Sequence, residues 1–215
     1  MPLALSTAGL SDGPAYAETY VSVFYDEELH AKIYRDLSFD KQVEETEKLW
    51  PGFASSPTSF TQLVKDTETG ETVSLARWAI CNSENLAKKL NGLDVDLSTG
   101  MVASARHPEG IDQELAARCL AAVKETRDKF MGDGPYMHLC LLGTKSGHYR
   151  RGAGGILLKW MGDFADKEGV PCWVESTKMG KPVYEKHGFV TKDTLEMSFE
   201  GGETTHYGMR RDPRC

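Results

Sequence analysis

Apolar residues recur along the chain at two different spacings. A spacing of three and four residues predicts helices over 16–34, 43–50, 84–90 and 111–131, and Pro51 with Gly52 is expected to end the second of these. Alternating or continuous apolar runs predict strands at 3–7, 60–64, 72–80, 171–177, 189–199 and 204–210. No internal repeat and no linker separates these elements. The pattern therefore predicts one mixed α/β (α+β) domain over 1–215.

The segment 137–164 combines a strand, a polar turn and a helix. It starts as an apolar run at Met137, turns polar at Lys145 and is expected to begin a helix at Gly152. The helix is predicted because its apolar residues fall on one stripe, formed by Ile156, Leu157, Trp160, Met161 and Phe164. Two arginines and several glycines therefore lie at a junction between a strand and a helix.

That junction has the chemistry of an anion site. Helix N-termini present free backbone N–H groups and the positive end of the helix dipole, and glycine allows an anion to approach the backbone closely. Arg150 and Arg151 add positive charge, which indicates a phosphate-bearing ligand. The alternative is an exposed loop with a charged helix cap. A dinucleotide fingerprint is disfavoured because Leu157 stands where its third glycine is required, and no GKS or GKT tripeptide supports a P-loop.

The turn resembles the acyl-CoA-binding motif of the GCN5-related N-acetyltransferases, Q/R-x-x-G-x-G/A. The matching residues are Tyr149-Arg150-Arg151-Gly152-Ala153-Gly154, and Tyr149 departs from the motif's first position. A strand at 171–177, followed by a short helix carrying Tyr184 and then Gly188-Phe189, continues as that family does. The strongest match covers 136–189. The resemblance implies a central mixed, mostly antiparallel sheet flanked by helices, and acetyl-CoA as cofactor.

The resemblance also implies which residues bind the cofactor. The strand residues Leu142, Gly143 and Thr144 are expected to pair with the pantetheine arm. The turn is expected to hold the pyrophosphate, and Ser176 on the next strand is expected to contribute as well. The predicted turn residues are Tyr149, Arg150, Arg151, Gly152, Ala153, Gly154 and Gly155.

Acetyl transfer to an amine also needs groups that move protons. Tyr184 matches the family's general acid, and a phenol stays protonated at neutral pH. His138 stands where the histone-acetylating branch has a glutamate, so it is a candidate base, and Glu175 is an alternative. A core tyrosine, a structural histidine and a surface ion pair are the corresponding non-catalytic interpretations.

Three other residues are assigned no chemical role. Neither Cys140 nor Cys172 has a histidine or aspartate at a motif-defined distance, so both are expected to be buried structural thiols. Direct attack of the amine in a ternary complex is therefore favoured over a covalent route. Arg77 is interpreted as an exposed charge on a strand.

Composition narrows the functional class. The net charge of −7 argues against a nucleic-acid binder and mildly favours a cationic substrate. Five cysteines without a CxxC pair indicate a reduced, cytoplasmic protein without a zinc site, with the nucleus as an alternative compartment. No apolar run reaches the length of a membrane span, and the N-terminal residues lack the features of a signal peptide.

The preferred function is acetylation of a primary amine on a small molecule, either a metabolite or a xenobiotic. The alternatives are a protein or peptide N-acetyltransferase and a domain that binds acyl-CoA as a sensor without turnover. The sequence leaves open the acceptor, the identity of the base, and whether the protein is a monomer or a homodimer. The segment 81–110 shapes acceptor specificity in one interpretation and is a surface loop in the other.

Overall fold

The computed structural model describes residues 2–91, 108 and 110–214. Its seven strands are β1 (Leu3–Thr7), β2 (Ser59–Asp66), β3 (Thr72–Cys81), β4 (Tyr136–Thr144), β5 (Cys172–Thr177), β6 (Val190–Phe199) and β7 (Gly202–Arg211). Its helices are α1 (Gly13–Phe24), α2 (Glu28–Ile33), α3 (Phe39–Ala54), α4 (Glu84–Asn91), α5 (Gln113–Met131), α6 (Ala153–Glu168) and α7 (Lys181–Lys186). Among these described residues, no helix has the length and apolar character needed to cross a membrane.

All seven strands belong to one sheet in the order β1-β2-β3-β4-β5-β7-β6. Every neighbouring pair is antiparallel except β4 and β5, which run parallel with α6 as their crossover. This arrangement confirms the predicted mixed, mostly antiparallel sheet flanked by helices. It also places β4 and β5, the strands that carry both candidate bases, side by side at the centre.

The two faces of the sheet are covered by different helices. One face packs α1 and α3 through a cluster of Tyr16, Trp50, Leu63 and Leu75. The other face packs α6 through a larger cluster that includes Leu157. Since residues alternate between faces along a strand, β4 contacts both layers. The turn after β4 is thus anchored by a strand on one side and by a buried helix on the other.

Local sequence explains where several helices begin and end. Ser38 Oγ accepts a hydrogen bond from the Lys41 N–H at 3.3 Å, and Asp112 Oδ1 accepts one from the Leu115 N–H at 2.9 Å. These are N-cap contacts, which satisfy donors that the first helical turn leaves free. Gly132 follows α5 with a φ of 60°, a backbone conformation in which glycine avoids the clash that a Cβ would cause.

Two helix predictions are wrong in their bounds. The expected helix over 16–34 is interrupted between α1 and α2, because Glu27 is extended and its side chain accepts from the His30 N–H at 2.9 Å, which caps a new helix. Pro51 lies inside α3 rather than ending it. A proline removes one hydrogen bond, and the last turn of α3 tolerates that loss because the helix is held by Trp50, which is buried.

Part of the segment 81–110 can be compared with its prediction. Helix α4 agrees with the helix expected near 84–90. Residues 92–107 and 109 lie outside the described residues, so both interpretations of that segment stay predictions.

Candidate active site

Strands β4 and β5 separate partway along their length. Within the described chain they pair only at Met137↔Cys172, His138↔Trp173 and Leu139↔Val174. Beyond Leu139, β4 remains paired with β3 as far as Thr144, while its other edge is no longer matched by β5. Its main-chain groups on that edge are free to bond with an extended ligand, much as another strand would.

The turn after β4 leads to the N-terminus of α6. Gly152 is the N-cap, has a φ of 89° and provides no side chain to cap the helix. A Cβ placed on Gly152 would meet nothing within 4 Å, so the space in front of the helix is open. Free N–H groups and the helix dipole therefore face an open volume that suits an anion.

The two arginines of the turn have different environments. Arg151 Nη2 donates to Asp66 Oδ2 at 2.7 Å, and this guanidinium holds the pKa of the Asp66 carboxyl below its ordinary value. Arg151 thus ties the turn to the end of β2. Arg150 is exposed, forms no ion pair with a described residue, and has a φ of 61°, which is strained for a residue with a side chain. Arg150 is therefore the arginine with its charge free for a ligand.

The other predicted cofactor residues lie around this opening. Gly143 and Thr144 are held by Ser74, whose hydroxyl donates to the Gly143 carbonyl at 2.7 Å. Tyr149 is half exposed beside the turn, and Ser176 is buried on β5, where its hydroxyl donates to the Thr177 carbonyl at 2.8 Å. Gly154 and Leu142 face each other, since a Cβ on Gly154 would lie 3.6 Å from Leu142 Cδ2. The structure brings these segments together, and their contacts with a cofactor stay predictions.

The two candidate bases form one hydrogen-bonded pair. His138 Nε2 lies 2.8 Å from Glu175 Oε2, and the Trp173 indole N–H donates to Glu175 Oε1 at 2.7 Å. Arg127 lies over the same pair, with Nη1 3.6 Å from Glu175 Oε1. The pair is only slightly exposed, with 14% of the His138 side chain and 11% of the Glu175 side chain accessible. Glu175 is therefore not the surface ion pair that its non-catalytic interpretation expected.

Burial and neighbouring charges shift the pKa of each member of this pair in opposite directions. Burial by itself would lower the pKa of His138, but Cys140 and Glu175 raise it to about 9. Burial by itself would raise the pKa of Glu175, but His138 and Arg127 lower it. His138 is therefore a protonated imidazolium at neutral pH, held by a carboxylate. In that form it can donate a proton but cannot accept one.

Cys140 contradicts the prediction of a buried structural thiol, whereas Cys172 is buried as expected. The register between β3 and β4 shifts between Arg77↔Leu141 and Trp78↔Leu139, so Cys140 is the extra residue of a β-bulge. A bulge re-aims a side chain, and this one is exposed. The sequence does contain a signal, because His138 and Cys140 are two residues apart and a strand places such residues on one face.

Tyr184 lies apart from the His138–Glu175 pair. Its ring is 6% exposed, packs at 5.6 Å between centroids against Phe189 and faces Gly180. Burial raises the pKa of its phenol, which therefore stays protonated over the whole physiological range. This state is compatible with a proton donor and equally with a core tyrosine, so its catalytic role stays a prediction.

A cavity of about 520 Å³ lies beside Cys140, on the face covered by α1 and α3. Its size is within the usual range for small-molecule sites. The wall is largely apolar and includes five aromatic side chains, with Glu27 as its carboxylate among the described residues. The aromatic residues of the wall are Tyr16, Tyr20, Phe24, Tyr34 and Phe53.

Arg77 also lines this cavity, so its interpretation as an exposed strand charge is wrong. Its guanidinium carbon lies 4.0 Å from the centre of the Phe53 ring, and no described carboxylate forms an ion pair with it. Glu27 and Arg77 were missed from the sequence because nothing in their local pattern distinguishes them from surface charges.

Comparison with known proteins finds similar folds but no close relative in sequence. No family model matches the chain, and no curated protein matches it. Among solved structures, the GCN5-related N-acetyltransferase from Rhodopseudomonas palustris aligns over 99% of this chain and 96% of its own, with 15% identity and a TM-score of 0.55.

Two further structures with this fold are known by what they act on or bind. The polyamine N-acetyltransferase of Drosophila melanogaster, which forms N-acetylagmatine, aligns over 98% of this chain and 100% of its own, at 12% identity and a TM-score of 0.66. The C-terminal condensation domain of Ebony, in complex with beta-alanyl-dopamine, aligns over 99% of both chains, at 13% identity and a TM-score of 0.68. This chain has the fold of the GCN5-related N-acetyltransferases.

Proposed function

We propose that this chain is an acetyl-CoA-dependent N-acetyltransferase that acetylates a primary amine of a small molecule. The observation that carries the proposal is the separation of β4 from β5 directly beside an uncapped helix N-terminus. The helix N-terminus at one end of this opening suits a diphosphate, and the unpaired edge of β4 suits an extended chain that contains amide groups. Coenzyme A carries a diphosphate followed by the amide-containing pantetheine arm.

The residues present fit that cofactor. Arg150 and the N–H groups at the start of α6 would hold the pyrophosphate, while the free edge of Leu142–Thr144 would pair with the pantetheine amides. Gly152 leaves room in front of the helix, since a Cβ there would contact nothing. Arg151 acts indirectly, because its ion pair with Asp66 positions the turn.

When bound, acetyl-CoA supplies an acetyl group activated as a thioester. In the direct route that the sequence favours, the amine attacks this thioester in a ternary complex. The chain must then take a proton from the amine and provide one to the departing thiolate, and Tyr184 is the proposed donor. His138 is a poor base for this route at neutral pH, because its pKa of about 9 leaves it already protonated. The position of Cys140 beside His138 supports a route through a covalent intermediate instead.

The cavity supports a small acceptor that carries an apolar or aromatic group. Its volume of about 520 Å³ and its aromatic wall would bury such a group, and the Glu27 carboxylate would attract an ammonium ion. The similar structures that bind or act on polyamines and a dopamine derivative agree with an amine acceptor. They do not distinguish between these amine classes.

The function is tested by measuring thiol release from acetyl-CoA with a panel of arylalkylamines, polyamines, amino acids and lysine-containing peptides. We expect small amines with an apolar group to be acetylated. Faster turnover of peptides than of free amines would instead support a protein acetyltransferase. Binding of acetyl-CoA by calorimetry, without thiol release for any amine, would support a sensor domain. Absence of binding would refute the proposal.

A further inference from the structure

Cys140 faces the acceptor cavity from the centre of the sheet. It is exposed, it lines the cavity, and the bulge in β4 directs it there. The aromatic side chains proposed to bind the acceptor line the same cavity. The thiol is therefore accessible to a small molecule, whereas Cys172 is buried on the next strand.

Three side chains form a connected series that begins at this thiol. Cys140 Sγ lies 3.7 Å from His138 Nδ1, which is within the longer hydrogen-bond range of sulfur. The other ring nitrogen, His138 Nε2, lies 2.8 Å from Glu175 Oε2. A nucleophile next to a base, with the base oriented by a third group, is the arrangement found in covalent acyl-transfer enzymes. The Trp173 indole fixes the carboxylate from behind.

The charges around the thiol favour its ionised form. Cys140 is exposed to a cavity rather than to the outer surface, and desolvation there would raise the pKa of its thiol, but His138 and then Arg77 lower it, with Glu175 acting weakly in the opposite direction. The thiolate is the nucleophilic form of cysteine, so this environment prepares Cys140 for attack.

The thiol is also near the expected end of the acetyl donor. With the pyrophosphate at the Gly152 turn, the pantetheine arm would extend back along Thr144, Gly143 and Leu142, the residues of β4 that precede the turn. The next positions towards the junction with β5 are Leu141 and Cys140, after which β4 and β5 close the opening at Leu139↔Val174. An extended chain advances about 3.3 Å per residue, so an arm that continues past Leu142 by two residue positions would bring the thioester to the level of Cys140.

We infer that Cys140 accepts the acetyl group before the amine does. This inference rests on the proposed function and adds a covalent step to it. The Cys140 thiolate forms a bond to the acetyl carbon, the bond between that carbon and the sulfur of coenzyme A breaks, and the leaving thiolate takes the proton from His138. The amine then attacks acetyl-Cys140, its surplus proton passes to His138, and the Cys140 thiolate is released. After one cycle His138 is protonated and Cys140 is a thiolate again, and the acetyl group has passed from coenzyme A to the amine.

The inference is tested by mixing the full chain with acetyl-CoA in the absence of amine, quenching in acid and analysing by intact-protein and peptide mass spectrometry. We expect a burst of free coenzyme A equal to the protein concentration, and one acetyl group on the peptide containing Cys140. Neutral hydroxylamine should remove that group, because it is a thioester. An amine that the enzyme acetylates should discharge it at least as fast as steady-state turnover.

Variants separate a chemical role from a structural one. Cys140→Ala should lose both the label and the burst, whereas Cys119→Ser should retain both. Cys119 is the matched control because it lines the same cavity, but burial raises the pKa of its thiol and no histidine contacts it among the described residues. Circular dichroism of each variant verifies that it is folded.

A readout without acetyl-CoA tests the same pair of residues. Iodoacetamide at pH 7 should alkylate Cys140 faster than Cys119. His138→Asn should slow alkylation of Cys140, by roughly tenfold for each unit by which the thiol pKa rises, since the cation that stabilises the thiolate is lost. Equal rates of Cys140 alkylation in the wild type and in His138→Asn would contradict the thiolate–imidazolium pair.

Two results would overturn the inference in distinguishable ways. Release of coenzyme A that requires the amine, with no burst and no acetyl-Cys140, would establish direct attack and leave the proposed function intact. Acetyl-Cys140 that persists when an amine substrate is added would show a side reaction and would also remove Cys140 from the pathway. Absence of acetyl-CoA binding would remove the proposed function itself.

Discussion

Gly143 occupies a position where helix α1 packs tightly on strand β4. A Cβ added at Gly143 would lie 2.2 Å from Val23 Cγ1 and 3.1 Å from Val23 Cβ. Carbon atoms in favourable contact are about 3.5–4.0 Å apart, so a methyl group overlaps the valine strongly. The strand cannot retreat, because Gly143 pairs with Leu75 on β3 and the Ser74 hydroxyl binds its carbonyl. In Gly143→Ala, Val23 must leave its present rotamer or helix α1 must move.

The size of the effect follows from that overlap. Overpacking a core by one methylene group typically costs about 1–3 kcal/mol, and a clash of more than 1 Å with a β-branched side chain places this one at about 2–3 kcal/mol. For a domain of this size, the melting temperature should fall by roughly 4–12 °C. Because α1 carries Tyr16 and Tyr20 of the cavity wall, the KM for the amine should also rise.

Thermal and urea denaturation of the wild type and four variants tests this reasoning. Gly147→Ala is the matched control, since a Cβ there meets nothing within 4 Å and should change stability by less than about 0.5 kcal/mol. Val23→Ala removes the clashing methyl group, so the double variant should be more stable than the sum of the two single effects. If Gly143→Ala is as stable as Gly147→Ala, or if Val23→Ala brings no rescue, the packing argument is wrong.

Three further predictions concern the site. On the direct route, where Tyr184 protonates the departing thiolate, Tyr184→Phe should lower kcat by roughly 10–1000-fold with an unchanged melting temperature, whereas unchanged turnover would remove Tyr184 from the mechanism and agree with His138 as the donor. Glu175→Gln removes the carboxylate that stabilises the His138 imidazolium, so the His138 pKa, about 9 in the wild type, should fall by roughly 1–3 units in an NMR titration; an unchanged pKa would contradict the pairing. Arg150→Gly should weaken coenzyme A binding in calorimetry without lowering stability, because it removes both a free guanidinium and a strained backbone; a lower melting temperature would assign Arg150 a structural role.

Much of the fold was predictable because its determinants are local. The hairpin of β2 and β3 follows from apolar alternation on either side of a polar turn that contains Gly70. Helix α6 follows from one apolar stripe that ends before Gly169, which has a φ of 67°. The interruption between α1 and α2 was missed because apolar spacing continues through it, while the cap at Glu27 depends on a single side-chain contact.

The candidate site was predictable only in part. The turn at Gly152 has a contiguous motif, so its residues and the anionic ligand proposed for them could be predicted together. The pairing of His138 with Glu175 joins residues 37 positions apart and depends on the register between β4 and β5. Both residues could be proposed as candidates from the sequence, but the distance between them could not be predicted from it.

The amino-acid pattern alone determined most of the elements, their order and the glycine-rich turn proposed to bind an anion, because hydrophobic periodicity and glycine positions act over a few residues. Tertiary structure alone decided that Cys140 faces a cavity, that Arg77 lines it and that His138 carries a raised pKa. A bulge changes the direction of a side chain without leaving a mark in the apolar pattern, and a pKa depends on charges brought together from separate strands.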